Sequence, residues 1–188
     1  DINPIVTQCN KTGHRHRYGV DTSYWATLGY YKVQRQLREA HPDLILENCS
    51  GGGHIKDFGV MALTHYVVAT DTLSNLPNRQ AMYDSTRALP PLVLQCYTYD
   101  NMYPVRGDTP GTFLWRTAMM GAWQIDPTDT PIWTDEERAA TRRSVEIYRQ
   151  WIRPLMADVK VHHILPRPDG VHWDGMFYWN ATARRGTL

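Results

Sequence analysis

The chain has 188 residues, of which 42% are apolar and 21% are charged, and its formal net charge is +1. At about 150 residues per domain, this length predicts one domain, or one and a part of another. The composition is that of a globular chain and excludes a disordered one. The balanced charge gives no electrostatic case for binding nucleic acid or an anionic membrane surface. No apolar run approaches the roughly 18 residues of a membrane-spanning helix, and the first residues lack the pattern of a secretory signal.

The first part of the chain predicts a loop, a helix and a strand. Residues 1–18 are predicted to be loop, and apolar side chains recur at helical spacing over residues 21–40. This helix is expected to stop before Pro42, because a residue that precedes proline disfavours the helical conformation. The apolar run 44–46 then predicts a strand that is buried on both faces and leads into the glycines 51–53.

The same alternation continues along the rest of the chain. A second strand is predicted over residues 66–69, and Thr134 with Glu137 forms a capping box at the start of a long helix. Strands separated by helices predict an α/β fold with a parallel sheet. The further predicted elements are a helix over 78–88, a strand over 92–97, a strand within 113–123, the helix over about 135–156 and a β-rich tail from 172–179.

Polar residues gather where two of the predicted strands end, at residues 48–50 and at Thr70–Asp71. In α/β barrels and in open α/β sheets, the carboxyl ends of the strands carry the chemistry. A carboxylate directly after an apolar run is either a loop or helix-capping residue, or a catalytic acid whose pKa is raised by its apolar neighbours. From the residues alone, both interpretations of Asp71 stay open.

The glycine segment that follows Cys49 has three interpretations. A phosphate cradle is one, but the Lys-Ser/Thr pair that completes such a loop is missing. A cysteine nucleophile with His54 as its base is another, although no nucleophile motif surrounds Cys49. The third is a tight loop that lets a ligand approach the backbone closely. We favour the third, which is evenly balanced against a loop without function.

The histidines near the start of the chain include a His-x-His pair, His14 and His16. Two such side chains resemble metal ligands, but Arg15 and Arg17 flank them and disfavour a bound cation, so we predict no metal site. The cysteines form neither a disulfide framework nor a spaced metal motif. They are Cys9, Cys49 and Cys96.

Residues 41–53, His-Pro-Asp-Leu-Ile-Leu-Glu-Asn-Cys-Ser-Gly-Gly-Gly, closely resemble a segment of the melibiase-type α-galactosidases, glycoside hydrolase family 36. In that family the segment lies at the fifth strand of a (β/α)₈ TIM barrel. The resemblance implies that residues 1–165 form the C-terminal half of such a barrel, from the end of strand four through helix eight. Residues 166–188 are then the start of a C-terminal β-sandwich domain.

The resemblance also implies roles for single residues. Asp1-Ile2-Asn3 resembles the end of the family's nucleophile segment, so Asp1 is the expected nucleophile. Thr70–Asp71 resembles the acid/base segment, so Asp71 is the expected acid/base. The residues expected to bind substrate are Asn3, Cys49, Gly51, Gly52 and Arg79.

These roles imply a retaining glycosidase that acts on α-galactosides or related α-glycosides, with two Asp carboxylates and no cofactor or metal. Its expected partner is an oligosaccharide or glycoside substrate, with no nucleic acid and no membrane, and a homo-oligomer is left open. The alternatives are an inactive fragment or sugar-binding remnant of such an enzyme, and a transferase that depends on Cys49. Because a complete barrel needs about 250 residues, we expect the 188-residue chain alone to be inactive.

Overall fold

A computed structural model shows the fold of the chain as two units, residues 1–67 and residues 68–188. None of the helices in its described part is long and apolar enough to cross a membrane. The structure describes residues 9, 11–18, 22–99, 112–126 and 133–188.

The first unit begins with helix α1, Thr22–Ala40, which confirms the helix predicted over 21–40. Its end is held by the N–H of His41, which donates to the carbonyl oxygen of Leu37 at 2.9 Å, and Pro42 follows. The buried residues of α1 are polar, Thr22 and Gln34. Several of its large apolar side chains are exposed: Tyr24, Trp25, Leu28, Val33 and Leu37.

Two short parallel strands follow, β1 at Glu47–Asn48 and β2 at Tyr66–Val68, with Glu47 opposite Tyr66. β2 confirms the strand predicted over 66–69. The strand predicted over 44–46 is wrong, because Ile45 is 67% exposed and pairing begins only at Glu47. A turn explains the shift, since the N–H of Leu44 donates to the carbonyl oxygen of His41 at 3.0 Å.

Between β1 and β2 lie the single turn α2 at Ser50–Gly53, whose glycines have non-helical backbone angles, and the short helix α3 at Phe58–Met61. Asp57 caps α3, because its carboxylate accepts a hydrogen bond from the N–H of Val60 at 3.0 Å. Such a cap satisfies one of the N–H groups that a helix start leaves without a partner.

The second unit contains a parallel pair of longer strands, β3 at Leu94–Tyr99 and β4 at Ala122–Asp126. Helix α4 covers Asn75–Ser85, which shifts the helix predicted over 78–88 by three residues towards the start of the chain. Parallel strands and helices alternate, so the predicted α/β class is confirmed.

The strand predicted within 113–123 is wrong for most of that range, where helix α5 covers Thr112–Ala118 and β4 begins only at Ala122. The buried residues of this helix fall at helical spacing, which explains the difference. They are Leu114, Trp115, Thr117 and Ala118.

Helix α6, Asp135–Ile147, starts at the predicted capping box, in which Thr134 accepts from the N–H of Glu137 and Glu137 accepts in return. The helix predicted to about residue 156 continues after Ile147 as a wider turn and then as a tight 3₁₀ turn over Arg153–Asp158. Pro154 lies at this change, where its missing N–H cannot continue an α-helix.

A three-stranded antiparallel sheet ends the second unit, with strands β5 at Val159–His162, β6 at Phe177–Asn180 and β7 at Arg185–Thr187. The hydroxyl of Tyr178 anchors the sheet by donating to the carbonyl oxygen of Met120 at 2.7 Å. This sheet begins before the predicted domain boundary at 165/166. That boundary and the half-barrel remain predictions.

Candidate active site

The glycine segment after β1 is a turn of left-handed backbone. The φ angles are 48° at Ser50, 61° at Gly51, 75° at Gly52 and 79° at Gly53. The N–H of Gly53 donates to the carbonyl oxygen of Cys49 at 2.6 Å, which closes the turn. Only glycine adopts this backbone without a steric penalty, so Ser50 is strained here.

Hydrogen bonds around Asn48, which is completely buried, hold this turn in place. The side-chain oxygen of Asn48 accepts from the hydroxyl of Tyr30 at 2.7 Å and also from the hydroxyl of Ser50. The side-chain amide of Asn48 donates to the carbonyl oxygen of Ile55 at 2.5 Å. One buried amide therefore ties α1, the strained Ser50 and the segment after the turn together.

The predicted substrate-binding residues Cys49, Gly51 and Gly52 lie together in this turn and are half-buried. Two adjacent glycines leave the backbone approachable, as the third interpretation of the segment requires. In the described part of the chain, the side chains of Cys49 and His54 share no hydrogen bond. The nucleophile interpretation of Cys49 therefore gains no support.

Beside the turn, the carboxylate of Asp57 also accepts from the hydroxyl of Tyr31 at 2.6 Å. Burial and, second, this carboxylate raise the pKa of Tyr31 to about 12. Burial lowers the pKa of Lys56 below its ordinary value. Tyr31 and Lys56, the ionisable groups next to the turn, are thus partly desolvated.

In the second unit, Asp71 follows the carboxyl end of β2 and is exposed. The residues before it are buried, with Val68 at 0% and Ala69 at 3% exposure. The hydroxyl oxygen of Thr70 accepts from the N–H of Thr72 at 3.2 Å, a local side-chain contact that spans Asp71. An exposed carboxylate thus lies just after the end of a buried strand.

Arg79, predicted to bind substrate, is engaged by an ion pair in the structure. Its Nη2 lies 2.5 Å from Oδ1 of Asp174, and its Nε donates to the same oxygen at 2.6 Å. Its Nη1 donates to the hydroxyl oxygen of Thr117 at 3.4 Å, and its guanidinium carbon lies 5.2 Å from the centre of the Phe113 ring. Asp174 is a partner that the sequence analysis missed, because 95 residues separate the two positions.

A cleft of about 720 Å³ opens beside this ion pair. Arg79 lines the cleft and Asp71 does not. Other side chains that line it include Phe113, Met120, Trp173, Asp174 and Tyr178.

A separate cluster near the start of the described chain brings Cys9 together with His14 and His16. Their ligand atoms all lie within 4.8 Å of one another. Hydrogen bonds, first with the side chain of His16 and then with the backbone of Lys11, hold the pKa of the Cys9 thiol below its ordinary value. The sequence analysis considered the two histidines without Cys9, because nothing in the spacing indicates that the chain folds back to residue 9.

The structure thus groups Cys49, Gly51 and Gly52 in the first unit, and it shows Asp71 and Arg79 in the second. Asp1 and Asn3 lie outside the described residues. The predicted roles of all these residues remain predictions.

Comparison with known proteins identifies the family. The Melibiase family model matches residues 1–158, and the chain belongs to this family. The chain is 25% identical over 141 residues to the bifunctional α-galactosidase/sucrose kinase AgaSK of Mediterraneibacter gnavus, covering 71% of this chain and 14% of that protein. It is 26% identical over 138 residues to the α-galactosidase Mel36A of Lactobacillus acidophilus, covering 72% of this chain and 17% of that protein.

Solved structures show the same fold. The GH36 α-galactosidase AgaA of Geobacillus stearothermophilus matches with a TM-score of 0.77 at 18% identity, over 91% of this chain and 24% of that chain. A variant of AgaA in complex with raffinose matches with a TM-score of 0.76 over 91% of this chain. The α-galactosidase of Lactobacillus brevis matches with a TM-score of 0.69 at 18% identity, over 81% of this chain and 20% of that chain. The chain therefore spans about a quarter or less of these relatives, which are TIM-barrel enzymes.

Proposed function

We propose that the protein is a retaining glycosidase that hydrolyses α-galactosides or closely related α-glycosides. Its membership of the melibiase family over residues 1–158 supports this function, as do the relatives named α-galactosidases. The relative solved with raffinose supports an oligosaccharide as substrate. The structural observation that carries the proposal is the exposed carboxylate of Asp71 at the carboxyl end of the buried strand β2.

The reaction proceeds by double displacement with two carboxylates. Asp1 attacks the anomeric carbon and forms a covalent glycosyl-enzyme, while Asp71 protonates the departing glycosidic oxygen. Asp71 then takes a proton from water, which attacks the anomeric carbon and releases the sugar with its original configuration. Retaining enzymes hold the two carboxyl groups about 5–5.5 Å apart, so that no water fits between nucleophile and sugar.

The turn after β1 serves the sugar ring in this proposal. Gly51 and Gly52 carry no side chain, so a sugar ring approaches their backbone closely, and Cys49 contacts a hydroxyl from the edge of the turn. Asn3 binds a hydroxyl or orients Asp1. Residues 1–165 supply the second half of the barrel, from the end of strand four through helix eight, and residues 166–188 start the β-sandwich domain.

If Arg79 binds substrate, the substrate competes with Asp174 for the N–H donors of the guanidinium. Its Nε and Nη2 are engaged by Asp174, and its Nη1 by Thr117. A substrate hydroxyl would have to share these donors. Arg79 therefore binds substrate only if it keeps one N–H directed to the cleft while it stays paired.

The test is Asp71→Ala in the complete gene product, because the chain covers 14% and 17% of the curated relatives. Loss of a general acid costs about 10²- to 10⁴-fold when the leaving group is poor. We expect a loss of this size in kcat/KM on raffinose and a much smaller loss in kcat/KM on a nitrophenyl α-galactoside, whose phenolate leaves without protonation.

A matched control is Asp84→Ala, which removes another carboxylate of the second unit. Asp84 pairs with Arg167 at the surface, so this change should leave both rates intact. Equal losses of kcat/KM in Asp71→Ala on both substrates would mean that Asp71 is not the acid/base.

A further inference from the structure

The cluster of Cys9, His14 and His16 presents three metal-ligating atoms to one another. Sγ of Cys9 lies 3.5 Å from Nε2 of His14, and the two Nε2 atoms of His14 and His16 lie 3.0 Å apart. For a tetrahedral ion with bonds of about 2.3 Å to sulfur and about 2.0–2.1 Å to nitrogen, ligand atoms are separated by roughly 3.3–3.6 Å. Two of the three separations are thus within about 0.3 Å of those in a tetrahedral zinc site, and the third, between Cys9 and His16, is at most 4.8 Å.

Hydrogen bonds alone do not satisfy this arrangement. An imidazole Nε2 offers either one N–H or one lone pair. Nε2 of His14 has both the sulfur of Cys9 and the Nε2 of His16 within hydrogen-bond reach. A single proton or lone pair serves only one of these neighbours well, whereas a cation at the centre accepts a lone pair from all three atoms.

The charge around the cluster is more favourable than the sequence indicates. A Cys9 thiolate supplies a negative charge, which the histidine pair lacks. The guanidinium of Arg17 lies over the ring of Tyr18, 5.3 Å from its centre. One of the nearby cations is thus engaged by an aromatic face, while Arg15 and Lys11 remain beside the cluster, which makes the thiolate charge of Cys9 essential to the site.

We propose that Cys9, His14 and His16 form a Zn²⁺ site with three protein ligands and a fourth position open to solvent. A thiolate is a soft donor and an imidazole a borderline one, so this ligand set favours Zn²⁺ over Mg²⁺ or Ca²⁺. His14 is exposed and the other two residues are half-buried, so the ion has access from solvent. This inference is independent of the glycosidase proposal, because none of the three residues belongs to the proposed catalytic set.

The test is Zn²⁺ binding to the untagged complete gene product, stripped of metal, in competition with a chromogenic chelator. We expect one Zn²⁺ per chain. Loss of even an outer-sphere partner costs about 10- to 100-fold in metal affinity, so His14→Ala, His16→Ala and Cys9→Ser should each weaken binding by about 100-fold or more. His41→Ala and Cys49→Ser are matched controls, since they remove an exposed histidine and a half-buried thiol outside the cluster.

Cobalt substitution gives a second readout. The Co²⁺ form should show a thiolate-to-metal charge-transfer band that Cys9→Ser abolishes and Cys49→Ser leaves in place. Absence of zinc binding in the parent chain would overturn the proposal. So would equal affinity in the parent, His14→Ala and His16→Ala chains, or loss of the charge-transfer band in Cys49→Ser.

Discussion

The turn after β1 and the segment after β2 both follow a parallel strand, yet they differ in backbone and burial. Ser50–Gly53 wind left-handed beside the buried amide of Asn48. Among the described residues from Tyr66 to Arg79, none has a positive φ, and Asp71 stands exposed. One strand end therefore offers a shaped backbone surface, while the other offers a charged side chain.

The two units also differ in the side chains that they bury. The first unit has a small set of buried side chains, among which the amide of Asn48 makes hydrogen bonds to Tyr30 and Ser50. The second unit buries a larger apolar core together with several polar side chains, and it holds the largely buried ion pair of Arg79 with Asp174. The first unit should therefore respond most to the loss of hydrogen bonds and to backbone changes, and the second to an unpaired charge. Its core includes Val68, Met82, Tyr83, Leu94, Leu114, Trp115, Leu155 and Met156.

The largest stability effect is expected from breaking the ion pair of the second unit. The side chains of Arg79 and Asp174 are only 13% and 11% exposed. Asp174→Ala leaves the guanidinium buried without its partner, which costs about 3–5 kcal/mol of unfolding free energy. Urea unfolding followed by tryptophan fluorescence measures this loss.

Two companion variants sharpen the ion-pair prediction. Arg79→Met together with Asp174→Ala should be more stable than Asp174→Ala alone, because no buried charge is left. Asp84→Ala breaks the exposed pair with Arg167 and should change stability little. If Asp174→Ala and Asp84→Ala lose the same unfolding free energy, the stability of the second unit does not depend on the pair of Arg79 with Asp174.

A smaller loss is expected from Asn48→Ala in the first unit. It removes the acceptor of the Tyr30 and Ser50 hydroxyls, which keep only their 3.4 Å contact with each other, and it leaves the carbonyl oxygen of Ile55 without its donor. Each buried polar group left unsatisfied costs about 1–3 kcal/mol, so the total should be about 3 kcal/mol by urea unfolding. Tyr30→Phe removes one hydroxyl and should cost about 1 kcal/mol. Equal losses of unfolding free energy in Asn48→Ala and Tyr30→Phe would contradict the central role of the Asn48 amide in the first unit.

The backbone of the turn predicts opposite signs for two glycine substitutions in the first unit. Gly51→Ala places a side chain at a φ of 61° and should cost about 1–2 kcal/mol. Gly29→Ala lies within α1 with open space around it and should add about 0.5–1 kcal/mol. Thermal unfolding compares both variants with the parent chain, and stabilisation by Gly51→Ala would refute the left-handed turn.

The smallest effect is expected at alkaline pH. Burial and Asp57 raise the pKa of Tyr31 to about 12, above the ordinary value of 10.0. The folded state therefore holds this proton more tightly, and the resulting stability is present below pH 10 and lost as the pH rises to about 12. Tyr31→Phe should flatten the alkaline decline in urea midpoints over this range. An unchanged slope would mean that Tyr31 titrates alike in both states.

Local sequence patterns predicted the elements that depend on neighbouring residues. Helical spacing gave α1, and the Thr134–Glu137 capping box gave the start of α6. The apolar run 44–46 predicts a strand that starts too early, because the turn from His41 to Leu44 sets where β1 begins. Helix α5 was also missed, since a short apolar run fits a strand or a helix equally well.

Long-range partners were not predictable from the sequence. Tyr30 and Asn48 share a hydrogen bond although they lie 18 positions apart in the sequence. Arg79 and Asp174 pair across 95 positions. Motif resemblance predicted that the glycines matter, but the strained Ser50 beside them follows from the fold around Asn48. Neither the composition nor the local spacing of residues predicts contacts between positions so far apart.

The proposed nucleophile gives the most direct test of the account. Asp1→Asn in the complete gene product keeps the size of the side chain and removes its charge, so turnover of an aryl α-galactoside should fall by several orders of magnitude while the protein stays folded. In Asp1→Ala, which leaves room for the ion, added azide should restore turnover and yield the β-galactosyl azide, because azide then attacks from the face that Asp1 occupied. Unchanged turnover in Asp1→Asn, or an azide product of α configuration, would contradict the double displacement through Asp1.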